Sequence, residues 1–185
     1  MTRPPKLDRD RIVEEAILLL QEEGLDRLSL RNLAARLGVR APALARHVGD
    51  KSALLALMSS AIFDRALARI PPGLTGPDWL WHYGIALWQQ QQETRDVAAL
   101  ISTAPLVPGL DGRITVRIAE LVRKAELPPD RGMPAQQAVQ ALVTGYSTFA
   151  KSARAPAFSQ GRPIERAFEK ALRALIAGFL AGKET

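Results

Sequence analysis

Cationic side chains gathered on short helical segments are the residues of this sequence best suited to a chemical task. From Arg27 to Lys51 six basic residues, Arg27, Arg31, Arg36, Arg40, Arg46 and Lys51, stand against one acid, Asp50, whereas Met1 to Asp26 holds four basic and seven acidic residues. Guanidinium and ammonium groups at that density suit the phosphates of a polyanion. The solvated faces of amphipathic helices carry the same pattern, so charge alone leaves both readings open. The whole chain of 185 residues has a net charge of +6, which favours a polyanionic partner without locating it.

Other chemistries find less support. The absence of cysteine excludes a disulfide framework, thiolate metal sites and a cysteine nucleophile, and fits a reducing cytoplasm. His47 and His82 are the only histidines, and they lie far apart in the sequence, with no HExxH helix and no Gly-rich phosphate loop beside them. Neighbouring carboxylates such as Glu14 and Glu15 are most simply a solvated helix face. No catalytic residue, metal or cofactor is therefore expected. No apolar run approaches the roughly 18 residues of a membrane span, and Met1 to Arg11 is charged rather than signal-like, so a cytoplasmic protein is expected.

The elements that must position the arginines read as helices, and the chain as all-α. Asp8 caps a first helix with Ile12, Val13, Ala16, Ile17, Leu19 and Leu20 on one broad face, ending at Gly24. Ser29 caps a second, with Leu30, Leu33, Ala34 and Leu37 at i, i+3, i+4 and i+7, ending at Gly38. Ala41-Pro42 opens a short third helix to about Val48. A fourth runs from Lys51 to Arg69, capped by Asp50 and stopped by Pro71-Pro72-Gly73. Further helices are expected over Pro77–Gln92, Thr94–Thr103, Leu110–Leu127, Pro134–Ser152 and Ile164–Ala181. The pattern divides the chain into residues 1–51, a connecting helix 51–69, and a helical bundle 70–185. Helices two and three, joined through Leu37-Gly38-Val39, form a helix-turn-helix with Leu44 plugging the gap. Helix three then projects outward with small Ala41, Ala43 and Ala45 where a major groove would meet it.

Leu33-Ala34-Ala35-Arg36-Leu37-Gly38-Val39, then Leu44, His47-Val48 and Asp50-Lys51-Ser52-Ala53-Leu54-Leu55, preceded by Ile12 to Gly24, resembles the TetR family of bacterial transcriptional repressors over about residues 7 to 65. After Pro71 the likeness is one of length and helical content, with a weak tetracycline-repressor-like stretch at Arg95-Asp96. The resemblance implies a homodimer that binds double-stranded DNA at a palindromic operator and answers to a small molecule. It places Arg31 where the tetracycline repressors contact a guanine, and arginine suits guanine O6 and N7. It places Ala41, Pro42, Ala43, Arg46 and His47 at base-facing and phosphate-facing positions of helix three, and Lys51 at the phosphate-contacting lysine. The chain departs from the pattern at Ala45, where the family has Tyr, and at Ala43, where it has Ser or Thr. Two backbone-contacting hydroxyls are thus missing, and Arg40 with Arg46 would supply phosphate affinity in their place. The family's drug–magnesium site, built with histidines, has no counterpart set here.

In the C-terminal half, Trp81, Ile85 and Trp88 fall on one helix face, with Tyr83 to the side and His82 and Gln89 on a polar stripe. This face, with Tyr146 and Phe149, is the candidate wall of a small-molecule pocket, and helical spacing serves an ordinary core face equally well. Phe168, Leu172, Leu175 and Phe179 form a stripe on the last helix, interleaved with Ala167, Ala171, Ala174 and Gly178. With the face of Gln136 to Ser152 it is the candidate twofold dimer interface, or else intramolecular packing. The leading expectation is a one-component DNA-binding regulator, most simply a repressor. The alternative is a small-molecule-binding helical dimer whose DNA binding has weakened, supported by Ala43 and Ala45.

Overall fold

A computed structural model describes residues 7–104 and 110–181. The charges of Arg3 and Lys6 lie outside the described residues. Among the described residues the chain is entirely helical, with no strand. The helices are α1 (Arg9–Glu23), α2 (Leu30–Leu37), α3 (Ala41–Val48), α4 (Lys51–Leu67), α5 (Gly76–Glu93), α6 (Val97–Thr103), α7 (Leu110–Lys124), α8 (Gly132–Ala150), α9 (Ala155–Phe158) and α10 (Ile164–Ala181).

The expected signals act where helices begin and end. Asp8 accepts a hydrogen bond from the Arg11 N–H at 2.9 Å, and the Ser29 hydroxyl accepts one from the Asn32 N–H at 3.1 Å, each filling a donor that the first turn leaves open. Gly38, at φ 66°, closes α2 in the left-handed region, and the Val39 N–H then reaches back to the Ala34 carbonyl. Helix α6 starts at Val97 rather than Thr94, because Asp96 adopts φ 51° and breaks the helical path before it. The four-residue α9 was not anticipated; Pro156 sits in its first turn.

The chain divides into two compact units, Met1–Ile62 with Thr94–Asp111, and Phe63–Glu93 with Gly112–Thr185. In the first unit Ile12, Ala16, Leu20, Leu33, Leu44, Leu54 and Met58 are fully or almost fully buried together, and α6 contributes Val97 and Leu100 to the same core. The turn before α6 is tied to the end of α1. The Arg95 guanidinium donates to the Glu22 carbonyl at 2.7 Å, and the Asp96 carboxylate accepts from the Leu25 N–H at 3.0 Å. The second unit is a bundle built on α5, α8 and α10. Gly84 sets their closeness: a Cβ there would stand 2.7 Å from the Leu172 Cδ2 and 3.1 Å from the Val139 Cγ1. Helix α7 adds buried Ile118 and Val122.

Candidate functional site

In the first unit, α3 is held by two buried side chains, Leu44 and Val48. Arg40, Pro42, Ala45, Arg46 and His47 are exposed around them, and Ala41 and Ala43 are half-buried. Arg31 is exposed in the first turn of α2, and Lys51 opens α4, where Asp50 accepts from the Ala53 N–H at 2.8 Å. Among the described residues Arg31, Arg40, Arg46 and Lys51 have no ion-pair partner. Their charge is left to solvent and to whatever binds there. The structure therefore brings the sequence-predicted DNA residues onto the exposed parts of α2, α3 and the start of α4.

Arg36 departs from the expected basic surface. Its Nε lies 3.0 Å from the Glu15 carboxylate, and its two terminal nitrogens lie 2.5 and 3.0 Å from that of Glu22. The bidentate hydrogen bond from Arg36 holds the Glu22 carboxyl below the usual carboxylate range. Arg36 is thus a brace between α2 and α1 and adds no free charge; the acids it meets come from the net-acidic first helix. Arg9, which the sequence reading passed over, donates from Nε to the His47 carbonyl at 3.1 Å and so secures the C-terminal end of α3. Nothing in the local pattern reveals that bond, since 38 residues separate its partners.

In the second unit the aromatics are arranged differently from the expected wall. Tyr83, expected at the side, is fully buried: Trp79 stacks on it at 5.1 Å between ring centroids, and Phe63 meets it edge-on. Its hydroxyl accepts from the Gln136 Nε2 at 2.6 Å and donates to the Gln140 Oε1 at 3.1 Å. Burial pushes the phenol far above its ordinary pKa. Trp88 is a core residue with its ring face stacked on Phe168 at 4.5 Å, and Tyr146 packs edge-on against Phe168. Phe149 stacks on Phe158. Trp81 is only half-buried, under the Arg173 guanidinium 4.0 Å from its ring. Ile85 and His82 are half-buried as well. The expected wall is thus broken up, because the helix turns Trp79, Tyr83 and Trp88 inward while Trp81 faces out.

The expected dimer stripe is corrected in the same way. Phe168 and Leu172 have no exposed surface within a single subunit, where they fill the space between α5, α8 and α10. Leu175 and Phe179 are half-buried. Among the described residues no group of three or more acidic or histidine side chains is arranged to hold a metal, and no helix is long and apolar enough to cross a membrane.

Residues 12–58 match the family model described as bacterial regulatory proteins, tetR family. The chain is 36% identical over 105 residues to an HTH-type transcriptional regulator of Saccharopolyspora erythraea, a match covering 55% of this chain and 43% of that protein. It is 40% identical over 60 residues to the class D tetracycline repressor protein of Escherichia coli, covering 32% and 28% of the two. The matched stretch thus spans less than half the length of these relatives. Solved structures resemble the chain throughout. A variant of TetR from Acinetobacter baumannii AYE, in complex with minocycline, superposes with a TM-score of 0.77 at 27% identity, covering 97% of this chain and 100% of that one. ActR of Streptomyces coelicolor, in complex with actinorhodin, does so with a TM-score of 0.74 at 26% identity, covering 96% and 98%. The helix-turn-helix of α2 and α3, the sequence match that coincides with it and the agreement in fold converge on the tetR family of bacterial regulatory proteins: residues 12–58 carry its N-terminal domain, and the chain has a TetR-like all-helical fold.

Proposed function

We propose that the chain is a one-component transcriptional repressor that binds a palindromic operator as a homodimer and is controlled by a small molecule in the bacterial cytoplasm. Residues 1–51 read DNA, helix 51–69 connects, and residues 70–185, apart from α6, which packs in the first unit, hold the effector and the partner subunit. The observation that carries this reading is α3, whose buried side chains are Leu44 and Val48 and which is edged by exposed Arg40 and Arg46 without ion-pair partners among the described residues. Arg31 reads a guanine, His47, Ala41, Pro42 and Ala43 face the bases, and Arg40, Arg46 and Lys51 take phosphates. The minocycline and actinorhodin complexes of the structural relatives support a small-molecule effector.

With Phe168 and Leu172 committed to the subunit core, the twofold contact falls to the outer faces of α8 and α10. Gly145 and Gly178 sit within these helices, where glycine costs about 1 kcal/mol relative to alanine. A Cβ at either would meet nothing within 4 Å in one subunit, so packing inside the subunit does not require them. Close approach of a second copy would account for them. Gly145→Arg is expected to yield a monomer by sedimentation at micromolar concentration; a dimer of undiminished affinity would refute this contact.

Fluorescence anisotropy with DNA flanking the protein's own gene, competed by random DNA, tests the whole reading. Preference for the flanking DNA by ~10³ or more is expected of a specific regulator. Equal competition would favour the second reading, a ligand-binding dimer with weakened DNA binding, for which Ala43 and Ala45 speak because they lack the family's hydroxyl contacts.

A further inference from the structure

The second unit holds a cleft of about 350 Å3 between the end of α4, the turn that follows it, the start of α5, and α7. That volume lies in the range of small-ligand sites. Its floor is apolar: Leu67, Ile70 and Leu121 line it beside Trp79, which is 4% exposed. Its polar groups are unequal in sign. Arg117 and Lys124, both from α7, reach the cleft, and no carboxylate lines it. Lys124 has no ion-pair partner among the described residues. Arg117 gives one terminal nitrogen to the Asp64 carboxylate at 2.5 Å, which leaves Nε and the other nitrogen for a second acceptor.

An apolar floor under two cations fits one kind of molecule. We propose that this cleft binds an organic anion, an aromatic or alicyclic carboxylate whose ring lies on Trp79 and Leu121 while the carboxylate meets Lys124 and Arg117. Desolvated ring area supplies affinity, and the charge-assisted bonds separate the acid from its neutral isostere. The assignment rests on the effector reading above and gives that effector a chemical class. It also moves the site from the Trp81, Ile85 and Trp88 face to the opposite side of α5's first turn, where Trp79 points. Leu67 in the floor is the last residue of α4, the helix that begins with the proposed phosphate-binding Lys51.

Isothermal titration of the full chain with 2-naphthoate and with the uncharged 2-naphthamide tests the proposal. The acid is expected to bind about tenfold or more tighter than the amide, as charge-assisted bonds imply. In Lys124→Gln that advantage is expected to fall to about twofold. Lys124 is exposed, so the variant retains its fold. Equal binding of acid and amide, an acid preference that survives both Lys124→Gln and Arg117→Gln, or no binding of either at millimolar concentration would each overturn the assignment. Anisotropy with flanking DNA in saturating 2-naphthoate separates the two readings. Acid-selective binding that leaves DNA affinity unchanged upholds the cleft and counts against its role as the effector site.

Discussion

Replacing Arg46 and Arg36 in parallel distinguishes a free charge from one already spent inside the protein. Arg40, Arg46 and Lys51 lack ion-pair partners among the described residues, and in the proposed homodimer they would neutralise about six phosphates. Each neutralised phosphate contributes about −0.9 to the slope of log affinity against log salt, which gives about −5.4 for the dimer. Affinity then falls about 10³-fold between 50 and 200 mM salt. Arg46→Ala removes two of the six and flattens the slope to about −3.6, weakening specific and random DNA alike. Arg36→Ala removes the same formal charge from a neighbouring helix, but that guanidinium is bound by Glu15 and Glu22, so the slope stays near −5.4. The assay is anisotropy at four or more salt concentrations below the melting temperature of each variant. An unchanged slope for Arg46→Ala, or an equal flattening by Arg36→Ala, would refute the distinction between the two arginines.

Arg31→Ala should cost about 1–3 kcal/mol for operator and relax the preference at one base pair in each half-site, measured with single-substituted operators. Leu172→Ala should destabilise the protein by about 2–5 kcal/mol in denaturant unfolding, because the side chain has no exposed surface within one subunit. A loss that vanishes with rising protein concentration would return Leu172 to the subunit interface. Tyr83→Phe removes the hydroxyl that accepts from the buried Gln136 amide and donates to half-buried Gln140, and should cost about 1–3 kcal/mol. The buried Tyr83 phenol holds its proton longer folded than unfolded, so its stabilisation is complete below the unfolded phenol value near 10 and is lost as pH rises above it. Absorbance at 295 nm should accordingly show Tyr83 ionising only as the protein unfolds. Gly24→Ala should destabilise by about 1 kcal/mol or more, since Gly24 has φ 88° and a Cβ there would stand 3.0 Å from the Asp96 carboxylate.

The first unit was legible because its signals are local. Asp8, Ser29, Gly38 and Pro42 act within a turn of their own positions, and the alternation of Leu44 and Val48 with exposed residues is read directly from helical periodicity. What local pattern cannot carry is pairing across the chain. Arg36 and Arg46 look alike in sequence, and only the crossing of α2 over α1 assigns one to a brace and leaves the other free. The same holds for α6, whose apolar Val97 and Leu100 could serve any core and which packs with α1 and α4.

In the second unit periodicity failed for a definite reason. Helix α5 is apolar or aromatic on several sides, with Trp79, Leu80, Tyr83, Leu87 and Trp88 buried together with Gln90 and Gln91. An amphipathic stripe has one buried direction; a central helix packed by α8, α10 and neighbouring elements has several, so no single face could be picked out as the pocket wall. The polar residues that enter this core, Tyr83, Gln136 and Gln140, satisfy one another. These bonds specify how α5 and α8 meet. The buried Gln91 Oε1 also has no hydrogen-bond partner among the described residues, so polar capacity is left both within the bundle and at its edge, where Lys124 and Arg117 carry the proposed anion.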